Sequence, residues 1–133
     1  MKSVAKGNKF ELEAKKTLEA LGWKVFRQHR KPLFMKGRMI TIGADVFGCD
    51  LIAKAKGNKA LWVQVSTKEN LSAKKKQVLE HPVNVEYETY EIWIREDGKK
   101  EFTVYRLFFD TIEQSHSWVK LADTVKIQEI KNV

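Results

Sequence analysis

Cysteine is almost absent: the single thiol, Cys49, excludes an internal disulfide and leaves a zinc site without a second thiolate. The longest uninterrupted apolar runs are only a few residues, far short of the ~20 that a spanning helix needs. The N-terminal stretch MKSVAKGNKF lacks the apolar core of a secretory signal. Together these absences predict a cytoplasmic protein outside the membrane. Histidine is sparse too, and His29, His81 and His116 are scattered without the spacing of a metal site or a nucleophilic triad. Internal repeats, linkers and low-complexity segments are lacking.

What is present belongs to a folded domain. Apolar residues make up 43% and charged residues 32%, which excludes a disordered tail. A chain of 133 residues buries a real core and has no room for a second domain, so residues 1–133 are read as one. Acidic residues are the minority charge: 25 Lys and Arg against 17 Asp and Glu leave +8, an excess that suits a polyanionic partner, with nucleic acid ahead of a membrane surface.

The pattern along the chain alternates helix and strand. Phe10, Ala14, Leu18 and Leu21 recur at helical spacing and Gly22 follows as a stop, which predicts a helix over residues 4–21. Residues 23–29 read as a strand, and residues 33–42, broken by Gly37, as a hairpin with a basic tip. DLIAKA (50–55) and ALWVQVST (60–67) are two strands joined around Gly57-Asn58. Asn70 or Ser72 can cap a short helix through AKKKQVLE that ends before Pro82. TYEIWIRE and KEFTVYRLF flank the hairpin signal Asp97-Gly98. A short helix is expected after Asp110, then a last strand over residues 125–130. The sum is an α/β fold with a central mixed β-sheet flanked by helices. The four tryptophans, Trp23, Trp62, Trp93 and Trp118, fall within apolar patterns and read as core or interface residues.

The chemistry concentrates in one stretch. Asp50 opens an otherwise apolar strand, where a carboxylate costs several kcal/mol unless it is paired or binds a metal. The next strand carries Gln64, Ser66 and Lys68 at spacing two, on one face, opposite Val63, Val65 and Thr67. The alternative is a plain half-exposed sheet. Whether Asp50 meets Gln64 depends on the connection. A two-residue Gly57-Asn58 turn pairs Asp50 with Val65, whereas three loop residues, Lys56, Gly57 and Asn58, bring Asp50 opposite Gln64. On the first helix Glu11 lies only ~20° from Leu18 and borders the buried face; it can reach the sheet or pair with Lys15.

KGNKFELEAKKTLEALGWKV, then GCDLIA, then a short turn and LWVQVSTK resemble the core of the PD-(D/E)XK nuclease superfamily, most closely its archaeal and phage Holliday junction resolvase-like branch. The likeness covers residues 6–76 and implies a restriction-endonuclease-like fold. The family's helical Gly-x-x-x-Glu falls on Gly7 and Glu11, and its aspartate before Leu-Ile-Ala on Asp50. Its Glu-x-Lys falls on Gln64 and Ser66, a departure at both positions.

The resemblance implies metal-assisted hydrolysis of DNA phosphodiesters by a homodimer, with Mg²⁺ as cofactor and Mn²⁺ as substitute. Asp50 is then the central ligand, Gln64 and the Val65 carbonyl complete the shell, and Glu11 binds directly or through water. Lys68 takes over from the missing lysine at position 66, while Asp45 and Ser66 are accessory candidates. Three basic groups fit a DNA track: Arg27, His29, Arg30 and Lys31; Lys36 and Arg38; and Lys74, Lys75 and Lys76, with Asn70 and Ser72 beside the last. The alternative function is a non-catalytic DNA-binding module on a degenerate nuclease fold.

Overall fold

A computed structural model describes residues 3–27, 31–35, 38–42, 49–122 and 125–127. Helix α1 (Ser3–Ala20) buries Phe10, Ala14 and Leu18, the stripe expected from its spacing. Its end is a Schellman turn. The Trp23 N–H donates to the Leu18 carbonyl at 3.0 Å and the Gly22 N–H to that of Glu19 at 3.1 Å, with Gly22 at φ 98°. Leu21, expected on the buried stripe, is 61% exposed because the chain has already left the helix there.

Among the described residues nine strands follow: β1 (Lys24–Arg27), β2 (Lys31–Met35), β3 (Arg38–Ile42), β4 (Leu51–Lys54), β5 (Ala60–Ser66), β6 (Glu88–Arg95), β7 (Glu101–Asp110), β8 (Ser115–Lys120) and β9 (Val125–Lys126). Helix α2 (Leu71–Leu79) sits between β5 and β6. The main sheet has seven strands in the order β1-β4-β5-β6-β7-β8, with β9 also on β7. Among the described residues only the β5–β6 pair is parallel, because α2 is the crossover between them. The sheet is therefore mixed and mostly antiparallel. Strands β2 and β3 form a separate hairpin, as the break at Gly37 predicts.

Each face has its own core. Phe10, Ala14 and Leu18 of α1 pack on Leu51, Ala53, Leu61, Val63, Val65 and Trp93. Across the sheet, Val78 of α2 packs with Cys49, Tyr90 and Leu107, and Trp62 lies against them. Strand alternation explains the division, since residues 61, 63 and 65 point one way and 62, 64 and 66 the other. No helix among the described residues is long and apolar enough to cross a membrane.

Two local expectations fail. After Asp110 there is no helix: residues 111–114 are a turn, and Ser115–Lys120 is a strand paired with β7. Asp110 Oδ1 accepts the N–H groups of Ile112 (2.9 Å) and Glu113 (3.2 Å), the pattern of a helix cap, but Gln114 at φ 54° turns the chain back. At α2, Asn70 occupies the cap position without a side-chain bond, because a 3₁₀ turn (Lys68–Asn70) leads into the helix.

Candidate functional site

The β4–β5 hairpin fixes the site. Its register pairs Leu51 with Val63 and Ala53 with Leu61, which puts Ala55 across from Lys59 and leaves three loop residues, Lys56, Gly57 and Asn58. The Asn58 N–H closes the turn on the Ala55 carbonyl at 3.1 Å, and Gly57 supplies φ 80°. The regular ladder ends at Leu51: the Asp50 N–H turns to Val63, the residue already paired with Leu51, so the three loop residues are found but the expected pairing of Asp50 with Gln64 does not continue the ladder.

Asp50 is 4% exposed and clamps the two strands. Its N–H donates to the Val63 carbonyl at 2.9 Å, and its Oδ2 accepts the Val65 N–H at 2.8 Å. Val63 and Val65, two apart, turn their backbone groups toward the same neighbour, so the carboxylate lies near the plane of the sheet where β4 begins. Of Val65, expected to offer its carbonyl, the structure brings the N–H to Asp50; its carbonyl is directed to the same side.

Gln64 is 1% exposed, and its Oε1 has no hydrogen-bond partner among the described residues. A buried amide oxygen left unpaired costs about 1–3 kcal/mol, and a hard cation is the kind of partner such an oxygen accepts. Ser66 is also buried, but its Oγ donates to the Thr67 carbonyl at 2.9 Å. Gln64 and Ser66 point to the face covered by α2.

Glu11 stands on the other face. Its Oε1 accepts from Arg27 Nε at 3.3 Å, both side chains being largely covered. Arg27 ends β1 directly across from Leu51, so this ion pair borders the end of the sheet where Asp50 lies. Arg27, expected as a phosphate contact, is thus engaged with the acid that sequence reasoning assigned to the metal. The reading missed this partner because the two lie 16 residues apart in sequence. Glu13 is held similarly, by Arg95 at 3.0 Å.

Lys68 corrects the strand assignment. β5 ends at Ser66, and Lys68 is an exposed residue in the 3₁₀ turn, so it does not continue the face of Gln64 and Ser66. Its charge acts on Glu96 in the turn after β6. The hydrogen bond from Lys99 holds that carboxyl below its usual range, and the charges of Lys99, Lys68 and Lys120 add to the effect.

The basic residues are divided as well. Ser72, Lys74, Lys75 and Lys76 lie on α2, with Ser72 and Lys76 exposed and Lys75 Nζ 4.9 Å from the centre of the Tyr105 ring. Lys31 and Arg38 lie in the β2–β3 hairpin, Lys31 opposite Ile42 and Arg38 opposite Met35. His29, Arg30, Lys36 and Asp45 lie outside the described residues.

No group of three or more His, Cys, Asp or Glu that could hold a metal occurs among the described residues. The oxygens that fit a cation there are those of Asp50 and Gln64. Mg²⁺ keeps several of its waters and is often held by only one or two carboxylates, so this small donor set suits it. Comparison with protein-family models, curated proteins and solved structures returns no match.

Proposed function

We propose that this chain is a metal-dependent DNA endonuclease of restriction-endonuclease-like fold, akin to the PD-(D/E)XK superfamily. Its substrate is branched DNA, cut in the manner of a Holliday junction resolvase by a cytoplasmic homodimer active in recombination or repair. The observation that carries this reading is the buried Gln64 oxygen, without a hydrogen-bond partner among the described residues, next in sequence to Val65, whose N–H holds the buried Asp50 carboxylate at the end of a parallel crossover. Open α/β sheets bind ligands at such strand ends.

Asp50, held by the Val65 N–H, and Gln64 would bind Mg²⁺ or Mn²⁺. The ion, when bound, lowers the pKa of a water and offsets charge on the phosphoryl oxygen. Glu11, fixed by Arg27, orders the α1 side of the same sheet end. Lys68, exposed in the 3₁₀ turn that follows β5, would add positive charge beside this strand end, and the lysines of α2 would supply sequence-independent phosphate contacts.

The committed Ser66 hydroxyl and the displaced Lys68 favour a second reading, a DNA-binding module that does not cut. Labelled four-way junction, flap and duplex DNA, incubated with Mg²⁺, Mn²⁺ or EDTA, separate the two. Paired symmetric nicks in the junction with metal, lost in EDTA and in Asp50→Asn while binding persists, are expected. Binding without cleavage under every condition supports the second reading, and cleavage by Asp50→Asn at the wild-type rate removes the site.

A further inference from the structure

On the face covered by α1, at the opposite end of the sheet from Asp50, lies a half-open cavity of about 520 Å³. The last turn of α1, the β4–β5 turn and the starts of β5 and β6 enclose it. Its volume is that of a small-molecule site, roughly 300–1,000 Å³. Leu61 in its wall is four residues from Val65, about 13 Å along a strand, so this cavity is separate from the Asp50 site and does not depend on the nuclease reading.

The lining is apolar and aromatic, with Leu18, Leu61 and Val104 beside the rings of Trp23 and Trp93. One acid lines it, Glu91, and it is saturated. Glu91 Oε1 accepts from Trp93 Nε1 at 2.9 Å, and Oε2 accepts from Arg106 Nε at 2.8 Å and Nη2 at 2.6 Å. Glu91 and Arg106 are cross-strand partners, and Glu91 is 5% exposed whereas the Arg106 side chain is 41% exposed. The buried acid therefore fixes the guanidinium while Nη1 makes no hydrogen bond among the described residues. Lys59 adds positive charge at the rim, although its Nζ donates to the Val85 carbonyl at 3.0 Å outside the cavity. Among the described residues the cation facing the lining is thus Arg106, beside an acid it neutralises, and a guanidinium locked in place is a ready donor to a carboxylate or phosphate.

We infer that this cavity binds a small organic anion with a flat aromatic body, its charged group on Arg106 and its ring against the tryptophan-lined wall. Both a nucleotide and an aromatic carboxylate have this chemistry.

The test is titration of the full chain with deoxyadenosine monophosphate, with naphthoate, and with neutral naphthamide, following the tryptophan indole N–H signals by NMR. Saturable shifts of the Trp93 signal with one or both anions are expected. The tighter anion identifies the source, and naphthamide should bind at least about tenfold more weakly, as the loss of a charged hydrogen bond implies. Arg106→Met should weaken the anion similarly. Because that change leaves Glu91 buried without its cation, Lys59→Glu, on the rim, provides a second variant and should also weaken binding. Equal affinity for naphthamide, equal affinity in Lys59→Glu and in a folded Arg106→Met, or no shift with either anion at millimolar concentration would overturn the inference.

Discussion

Asp50 and Val65 are joined by a 2.8 Å hydrogen bond from a strand N–H to a buried carboxylate, 15 residues apart in sequence. The bond places the carboxylate in the position a β4 carbonyl would take, so Asp50 finishes the strand pair chemically while keeping an acid at its end. A structural role and the proposed metal-binding role therefore meet in one side chain, and substitutions can separate them.

Asp50→Ala leaves the Val65 N–H buried without an acceptor, which costs about 1–3 kcal/mol. Asp50→Asn keeps an acceptor oxygen and should lose less than half as much. Denaturant unfolding measures both. An Asp50→Ala protein as stable as wild type would show that the clamp contributes nothing.

Gln64→Glu places a carboxylate where an unpaired amide oxygen now sits. Without metal the variant should melt below wild type, because a buried charge lacks compensation. With Mg²⁺ it should gain more in melting temperature than wild type does, since a ligand that binds only the folded state stabilises it. Thermal melts with EDTA and with Mg²⁺ check this, and identical metal responses in the two proteins would exclude Gln64 from a metal site.

Lys68→Ala should lower junction cleavage by a factor on the order of 10², the usual effect of a positioned electrostatic or acid-base group. Affinity for the junction should barely change. Single-turnover cleavage and a binding isotherm give the two numbers, and an unaltered rate would make Lys68 only a neighbour of Glu96.

Lys75 and Lys76 are adjacent in sequence but differ in surroundings. Lys76→Ala should reduce the salt slope of DNA binding by about one unit with little change in stability. Lys75→Ala should instead cost about 0.5–1 kcal/mol of stability, the worth of its contact with the Tyr105 ring. Binding at several salt concentrations, together with urea unfolding, distinguishes them.

Tyr90 provides a pH signature. Burial, together with its 2.5 Å hydrogen bond to Glu88 Oε2, pushes the phenol up to about 12 from 10.0. The neutral phenol is the form favoured by the fold. Its contribution to stability is complete below about pH 10 and is lost as pH rises toward 12. Titration of phenolate absorbance should show one tyrosine ionising near pH 12, absent in Tyr90→Phe.

The amino-acid sequence by itself determined the elements whose signals are local. The stripe of Phe10, Ala14 and Leu18 specified α1, Gly22 ended it, and Gly57 and Gly98 marked the two hairpins, because periodicity and positive φ are properties of a few neighbouring residues. The three-residue connection between β4 and β5 was legible for the same reason. Tertiary structure decided what depends on distant partners: that Arg27 engages Glu11, that the Glu11 pair and Gln64 lie on opposite faces, and that Arg106 is held by Glu91. It also turned Ser115–Lys120 into a strand, since pairing with β7 outweighed a local cap at Asp110, and it ended β5 before Lys68. Such outcomes rest on contacts between segments far apart along the chain, for which spacing carries no signal.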